Sequence, residues 1–134
     1  MKVLLVKPHN LTDHIQPSLG LGYLANAVKD KNGVRILDCI KENAKIEKFA
    51  SILRNYNPDF VGFQCYTFDL GFVKAALGEC KDFKPGIITA IGGPHPSAVP
   101  KESFEYFNDS LDFIFIGEAE KSLPLLLDKL KSSS

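Results

Sequence analysis

A surplus of either charge is missing from this chain of 134 residues: sixteen Lys and Arg offset sixteen Asp and Glu, and neither sign is clustered. That argues against nucleic acid or an anionic membrane as the main partner. Long hydrophobic runs are missing as well. Met1-Lys2 leads straight into Val3-Leu4-Leu5-Val6, too short a run for a signal-peptide core or a membrane span. Cysteine is sparse: Cys39, Cys65 and Cys80 are odd in number and widely spaced, which suggests neither a disulfide framework nor a zinc site. A cytoplasmic protein with reduced thiols is the simplest reading. There is no internal repeat and no sign of a second domain. The sequence therefore reads as one domain over residues 1–131, with Ser132-Ser133-Ser134 as a frayed tail or a cut made between domains.

What is present is an ordinary globular composition, 45% hydrophobic and 24% charged. A chain of this length buries roughly 65–70% of its unfolded surface. Short, nearly continuous apolar runs occur at Val3–Val6, Val34–Leu37, Phe60–Phe63, Ile87–Ile91 and Phe113–Ile116. Runs apolar on both faces suit strands of a parallel sheet covered on both sides. Between them the period becomes helical. Leu21, Leu24, Ala25 and Val28 follow i, i+3, i+4, i+7, and so do Val73, Ala76, Leu77 and Cys80. Ile46, Phe49, Ala50 and Leu53 repeat the pattern, as do Leu123, Leu126, Leu127 and Leu130, and a weaker turn of helix falls around Lys101–Phe107. Asn32-Gly33 and Pro58 mark helix ends. The alternation predicts an α/β domain, a doubly wound, flavodoxin-like (Rossmann-like) sheet of five parallel strands in the order 2-1-3-4-5.

Ligands of such folds sit outside the carboxyl ends of the strands, near the switch in strand order. The segments there are the long loop Pro8 to Leu19, Gln64-Cys65-Tyr66-Thr67, Gly92 to Pro100 and Gly117-Glu118-Ala119-Glu120. They hold no Ser/His/acid set and no adjacent acids framing a reaction centre. They do offer backbone, hydroxyl and amide groups, two glycine-rich breaks and one long loop that could serve as a lid. That suits a bulky, largely neutral ligand hydrogen-bonded around its edge. After the apolar run Ile87–Ile91, the pair Gly92-Gly93 leaves a strand end with no side chains in the way, and Pro94 and Pro96 stiffen the exit around His95.

Gly20-Leu21-Gly22-Tyr23-Leu24-Ala25 matches the dinucleotide pattern G-x-G-x-x-A, and Asp38 ends the second strand where a ribose-binding acid would stand. In the dinucleotide fold, though, the first glycine turns the chain directly out of strand one. Here twelve residues separate Lys7 from Gly20, and Gly22 falls inside a helix. The plainer reading is that Gly20 and Gly22 let that helix pack tightly against the sheet or a ligand. A phosphate loop fails because no G-K-S/T follows a glycine-rich turn. A response-regulator receiver needs acids after strand one and an aspartate after strand three, where this chain has Lys7-Pro8 and Gln64-Cys65.

Four strand-end segments resemble one family. Pro17-Ser18-Leu19-Gly20-Leu21-Gly22-Tyr23-Leu24-Ala25 is similar to the P-x-L-G-L-x-Y-L-A opening of the cobalamin-binding domain that begins class B radical SAM enzymes. Pro58-Asp59-Phe60-Val61-Gly62, Gly92-Gly93-Pro94-His95-Pro96 and Asp112-Phe113-Ile114-Phe115-Ile116-Gly117-Glu118-Ala119-Glu120 continue the match in order. The last is similar to D-x-x-x-x-G-E-G-E, with Ala119 in place of the second glycine. The resemblance spans essentially the whole chain.

It implies cobalamin bound across the carboxyl edge of the sheet. The nucleotide tail would run beside strands three and four, with Thr67 and Gly92-Gly93 lining its groove and Leu19 and Gly20 against the corrin; Gln64, Cys65, Tyr66 and Pro94 are further cofactor-binding candidates, and His95 is a rim residue that does not ligate cobalt. Glu118, next to the cofactor-binding candidate Gly117, would accept hydrogen bonds from corrin amide side arms, although an acid opening a helix is equally a first-turn dipole partner. The D-x-H-x-x-G motif that supplies a lower cobalt ligand in the methionine-synthase and mutase type is absent; Asp13-His14 is adjacent and His9 has no partnering Asp. The implied domain therefore binds cobalamin without that histidine, leaving His9 and His14 as ligands only if the loop folded over. The three cysteines form no C-x-x-x-C-x-x-C motif, so the isolated domain is not catalytic. The iron-sulfur cluster and S-adenosylmethionine are expected in a radical SAM barrel following Ser134, its partner in the same polypeptide, whose chemistry would be methyl transfer or a radical rearrangement. Two other readings stay open: a domain for FMN or another nucleotide cofactor, and a degenerate interdomain module without cofactor.

Overall fold

Alternate residues of the first strand feed two different cores. Val3 and Leu5 pack into one hydrophobic cluster, Leu4 and Val6 into another. This is the behaviour of a strand covered on both faces. The computed structural model describes residues 1–10 and 19–133. Strands β1 (Lys2–Lys7), β2 (Gly33–Asp38), β3 (Phe60–Gln64), β4 (Ile88–Gly92) and β5 (Phe113–Phe115) form one sheet in the order β2-β1-β3-β4-β5. Every neighbouring pair is parallel. The flavodoxin-like architecture predicted from periodicity is thus the one observed. Strand β4 starts one residue later than the apolar run Ile87–Ile91, and β5 stops at Phe115, leaving Ile116 exposed.

Helices α1 (Leu19–Val28) and α6 (Ser122–Ser132) cover one face, through Leu21, Val28, Leu123 and Leu127. Helices α2 (Ile46–Tyr56) and α3 (Leu70–Phe83) cover the other, with Phe49, Leu53, Val73, Ala76, Leu77 and Cys80 against the sheet. Helix α2 has Glu47 in its first turn and Arg54 in its last, the charges the helix dipole favours. It ends on Asn57, whose left-handed conformation lets its N–H reach the Leu53 carbonyl at 2.9 Å before Pro58 forbids another turn. Helix α6 reaches Ser132 and so takes in the first of the three terminal serines.

The segment after β4 is the main difference from the expected turn. Pro94–Ala98 forms a short helix, α4, and Pro100–Phe107 forms α5. Proline suits the first turn of a helix, where its missing N–H would have had no partner. The prolines around His95 thus begin a helix as well as stiffening the exit.

Among the described residues no helix is long and apolar enough to cross a membrane. His14 and the segment Pro17-Ser18, and with them most of the loop expected to act as a lid, lie outside the described residues.

Candidate functional site

From β1 the chain runs to β2 on one side and then crosses back to β3 on the other, so the carboxyl ends of β1 and β3 flank the switch point. A cleft of about 910 Å³ opens there. Pairing registers put Leu5 beside Gly62, Gly62 beside Ala90, and Gln64 beside Gly92. Period-2 alternation turns Phe60, Gly62 and Gln64 to the face carrying α1 and α6. The floor of the cleft is consequently a stripe of small residues, Gly62, Ala90 and Gly92, between the bulkier Leu5 and Phe115. A side chain at Gly92 would start 3.5 Å from the Phe115 Cβ, and one at Gly62 would start 3.3 Å from the Leu5 side chain.

The two adjacent glycines do different work. Gly92 faces the cleft. Gly93 has φ of 111°, and a Cβ there would lie 3.0 Å from the Cys65 carbonyl oxygen and 3.2 Å from its nitrogen. The Cys65 N–H donates to the Gly92 carbonyl at 2.8 Å, and the His95 N–H donates to the Cys65 carbonyl at 3.2 Å. Gly93 therefore lets the exit from β4 lie against the end of β3.

Of the residues singled out from sequence, Gly20, Gln64, Tyr66, Gly92, Gly93, Pro94, Gly117 and Glu118 line this cleft. Leu19 is the first residue of α1. Thr67 and His95 meet each other instead, Oγ1 to Nδ1 at 3.1 Å, and line a shallower neighbouring hollow. Cys65 is buried under the turn, where burial, with the Asp69 carboxylate adding to it, pushes its thiol up to about 12. His9 lies 3.4 Å from the Asn43 side-chain oxygen through Nε2. Glu118 is exposed at the rim, and α6 begins only at Ser122, so the helix-dipole role does not apply to it.

The nucleotide-binding resemblance around α1 also resolves. Gly22 lies inside the helix, and among the described residues a Cβ at Gly20 or Gly22 meets nothing within 4 Å, so neither glycine is pressed against the sheet. Asp38 is occupied locally: its Oδ1 accepts the N–H groups of Ile40 and Lys41, each at 3.1 Å, and its Oδ2 lies 3.8 Å from the Lys7 ammonium.

Three residues that sequence reasoning missed complete the site. Ser97 accepts the Gly117 N–H on its hydroxyl at 2.9 Å, tying the loop after β5 to α4. Phe68 lies 60% exposed over the cleft, stacked on Tyr66 with ring centroids 5.3 Å apart and 5° between planes. Asp69, only 2% exposed, accepts the Tyr66 N–H at 2.9 Å and the Asn10 side-chain amide at 3.1 Å. Burial raises its pKa, against the opposing pull of those hydrogen bonds and of Lys7. The available sequence signal was weak: an Asp three positions after the start of a turn, where Asx-type bonding to the backbone is common. Among the described residues no group of three or more His, Cys, Asp or Glu could hold a metal ion.

Residues 12–127 match the family described as the B12 binding domain. The chain is 28% identical over 136 residues to an uncharacterized methyltransferase of Pyrococcus horikoshii. It is 30% identical over 158 residues to the cytidylyl-2-hydroxyethylphosphonate methyltransferase of Streptomyces wedmorensis. These alignments take in 97% and 98% of the chain, which spans 29% of the length of each relative. The radical S-adenosylmethionine methyltransferase TsrM from Kitasatospora setae, solved with cobalamin and a 4Fe-4S cluster bound, superposes with a TM-score of 0.79 at 24% identity. That match covers 98% of this chain and 25% of TsrM, and at such identity it shows the fold alone.

Proposed function

The chain belongs to the B12-binding domain family, and from that premise we propose that it binds cobalamin across the carboxyl edge of its sheet as one module of a cobalamin-dependent radical SAM methyltransferase. The observation that carries the reading is the small-residue floor, Gly62, Ala90 and Gly92, under a cleft of about 910 Å³ at the switch point. The donor set fits the group: a long, narrow tail needs a slot without side chains, and any Cβ at Gly92 would narrow it against Phe115. Leu5, Leu21, Phe60 and Leu123 give the slot apolar walls, and Gln64 and Glu118 offer polar groups towards its mouth.

Bound cobalamin supplies one-carbon or radical chemistry at cobalt. The protein's part is to hold it, orient it and keep water from it. Two of the three histidines have other partners, His9 at Asn43 and His95 at Thr67, which supports a lower cobalt face without a protein imidazole. Methyl transfer is favoured over rearrangement because both relatives are methyltransferases. The iron-sulfur cluster, the S-adenosylmethionine site and the substrate would belong to the remainder of such an enzyme.

Incubation with hydroxocobalamin followed by desalting tests the reading. A corrin band that stays with the protein at near one equivalent is the expected result, with the same spectrum in His9→Ala and His14→Ala. Loss of the band at high micromolar protein refutes cobalamin binding, and a spectrum that changes in either variant refutes the proposed lower face.

A further inference from the structure

The turn between β3 and α3 is closed by several hydrogen bonds although its Tyr66 and Phe68 side chains are exposed. The Asp69 N–H donates to the Tyr66 carbonyl at 2.9 Å, while the Asp69 carboxylate accepts the Tyr66 N–H at 2.9 Å. Residues 66 and 69 are thus closed on each other twice, through a single helical turn at Thr67–Asp69. The second carboxylate oxygen accepts the Asn10 amide at 3.1 Å, and Asn10, on the loop leaving β1, also lines the cleft. Burying a carboxylate is costly unless both oxygens are bonded, and here both are.

What this clasp presents is a pair of rings. Tyr66 and Phe68 are parallel within 5°, with centroids 5.3 Å apart, and are 38% and 60% exposed. An exposed Phe ring stacked on a neighbour at the lining of a cleft is informative in a way that a scattered surface apolar residue is not. Both rings line the cleft that holds the small-residue floor. Their shared orientation suits one flat, extended, largely apolar surface better than a flexible chain.

Building on the cobalamin reading, we propose that the stacked Tyr66–Phe68 pair is an aromatic platform against which one face of the bound macrocycle rests, and that the buried Asp69 is the positioning residue that holds this platform in place. Asp69 does not touch the ligand in this scheme. It acts through the turn, and Asn10 ties the clasp to the loop leaving β1.

The test is equilibrium titration of hydroxocobalamin, followed by its visible spectrum, with the wild type, Phe68→Ala, Asp69→Ala and the double variant. Phe68 is exposed, so Phe68→Ala leaves the fold intact, and it weakens binding by about tenfold. Asp69→Ala weakens binding by a similar factor, and the double variant binds no more weakly than Asp69→Ala alone, because a ring already released cannot be lost twice. Should Asp69→Ala fail to fold, Asp69→Asn takes its place in the cycle, since it keeps the shape but, with one acceptor oxygen, loses the bond to either Tyr66 or Asn10. Wild-type affinity in Phe68→Ala overturns the platform. Independent, multiplying losses in the cycle overturn the role of Asp69. A wild-type domain that retains no corrin overturns the cobalamin reading and this inference with it, which separates that failure from the other two.

Discussion

Gly93 and Gly22 show how little a residue's identity says until its surroundings are known. Gly93 sits at φ of 111° with the Cys65 backbone 3.0 Å from where a Cβ would go. Gly93→Ala must therefore either strain the backbone or pull β4 from β3, and it lowers stability by about 1–3 kcal/mol in urea unfolding. Gly22 is an exposed helix-interior glycine whose added Cβ meets nothing within 4 Å among the described residues. Gly22→Ala raises stability by about 0.5–1 kcal/mol in the same measurement. Equal effects at the two positions would refute the assignment. Asp69 carries a pH signature of its own. Its carboxyl is held above the ordinary value of 3.8, chiefly by burial. The native state therefore keeps its proton when the unfolded chain has released it, and stability falls as pH rises through the window that opens near 3.8 and closes at the raised native value. In Asp69→Asn that fall is absent; an identical pH profile in the variant would show that the group titrates normally.

Elements were more legible than the contacts that fasten them. The five strands were visible because both-face burial leaves continuous apolar runs such as Val3–Val6 and Phe60–Phe63. The larger helices were visible because one buried stripe repeats every three to four residues, as at Phe49, Ala50 and Leu53. Helix α4 was not, since two prolines in five residues read as a turn unless the first-turn exception is applied. The cleft lining from Gly20, Gln64, Gly92, Gly117 and Glu118 could be named because strand ends and the switch point follow from topology. Phe68 and Asp69 could not, because a ring stack and a carboxylate clasp are set by backbone geometry that leaves no periodic trace. Asp112 is a similar case. Quoted from sequence as part of a motif, it turns out to stitch the edge strand: its Oδ2 accepts the Thr89 N–H at 2.9 Å and the Lys81 ammonium at 2.7 Å, and its N–H donates to the Thr89 carbonyl at 3.1 Å. Strand β5 has only three residues, so this side chain bears much of its attachment. Asp112→Ala costs about 1–3 kcal/mol, and amide exchange rises in β5 before it rises in β1. Unchanged exchange in β5 would place the attachment elsewhere.

For the molecule as a whole, the three cysteines provide a probe already in place. Cys39, Cys65 and Cys80 sit at the end of β2, at the end of β3 and in α3, all fully buried, and burial pushes each thiol up to about 12. A thiol so placed is neither accessible nor ionised at neutral pH, so it reacts with an aromatic disulfide reagent only through opening of the fold. Labelling thus reports the unfolded population, provided closing outpaces the chemistry. A ligand that binds only the native state reduces that population by the factor 1 + [L]/Kd. Hydroxocobalamin at one hundred times its Kd should therefore slow the labelling of all three thiols about a hundredfold, equivalent to about 2.7 kcal/mol, and raise the melting temperature by roughly 10 °C. The uniformity is the discriminating part. Cys80 lies on α3, away from the cleft lining, so direct shielding by a bound corrin could slow Cys65 but not Cys80. If Cys65 alone is protected, the ligand covers the turn without stabilising the domain, and occupancy of the cleft is not what slows its opening.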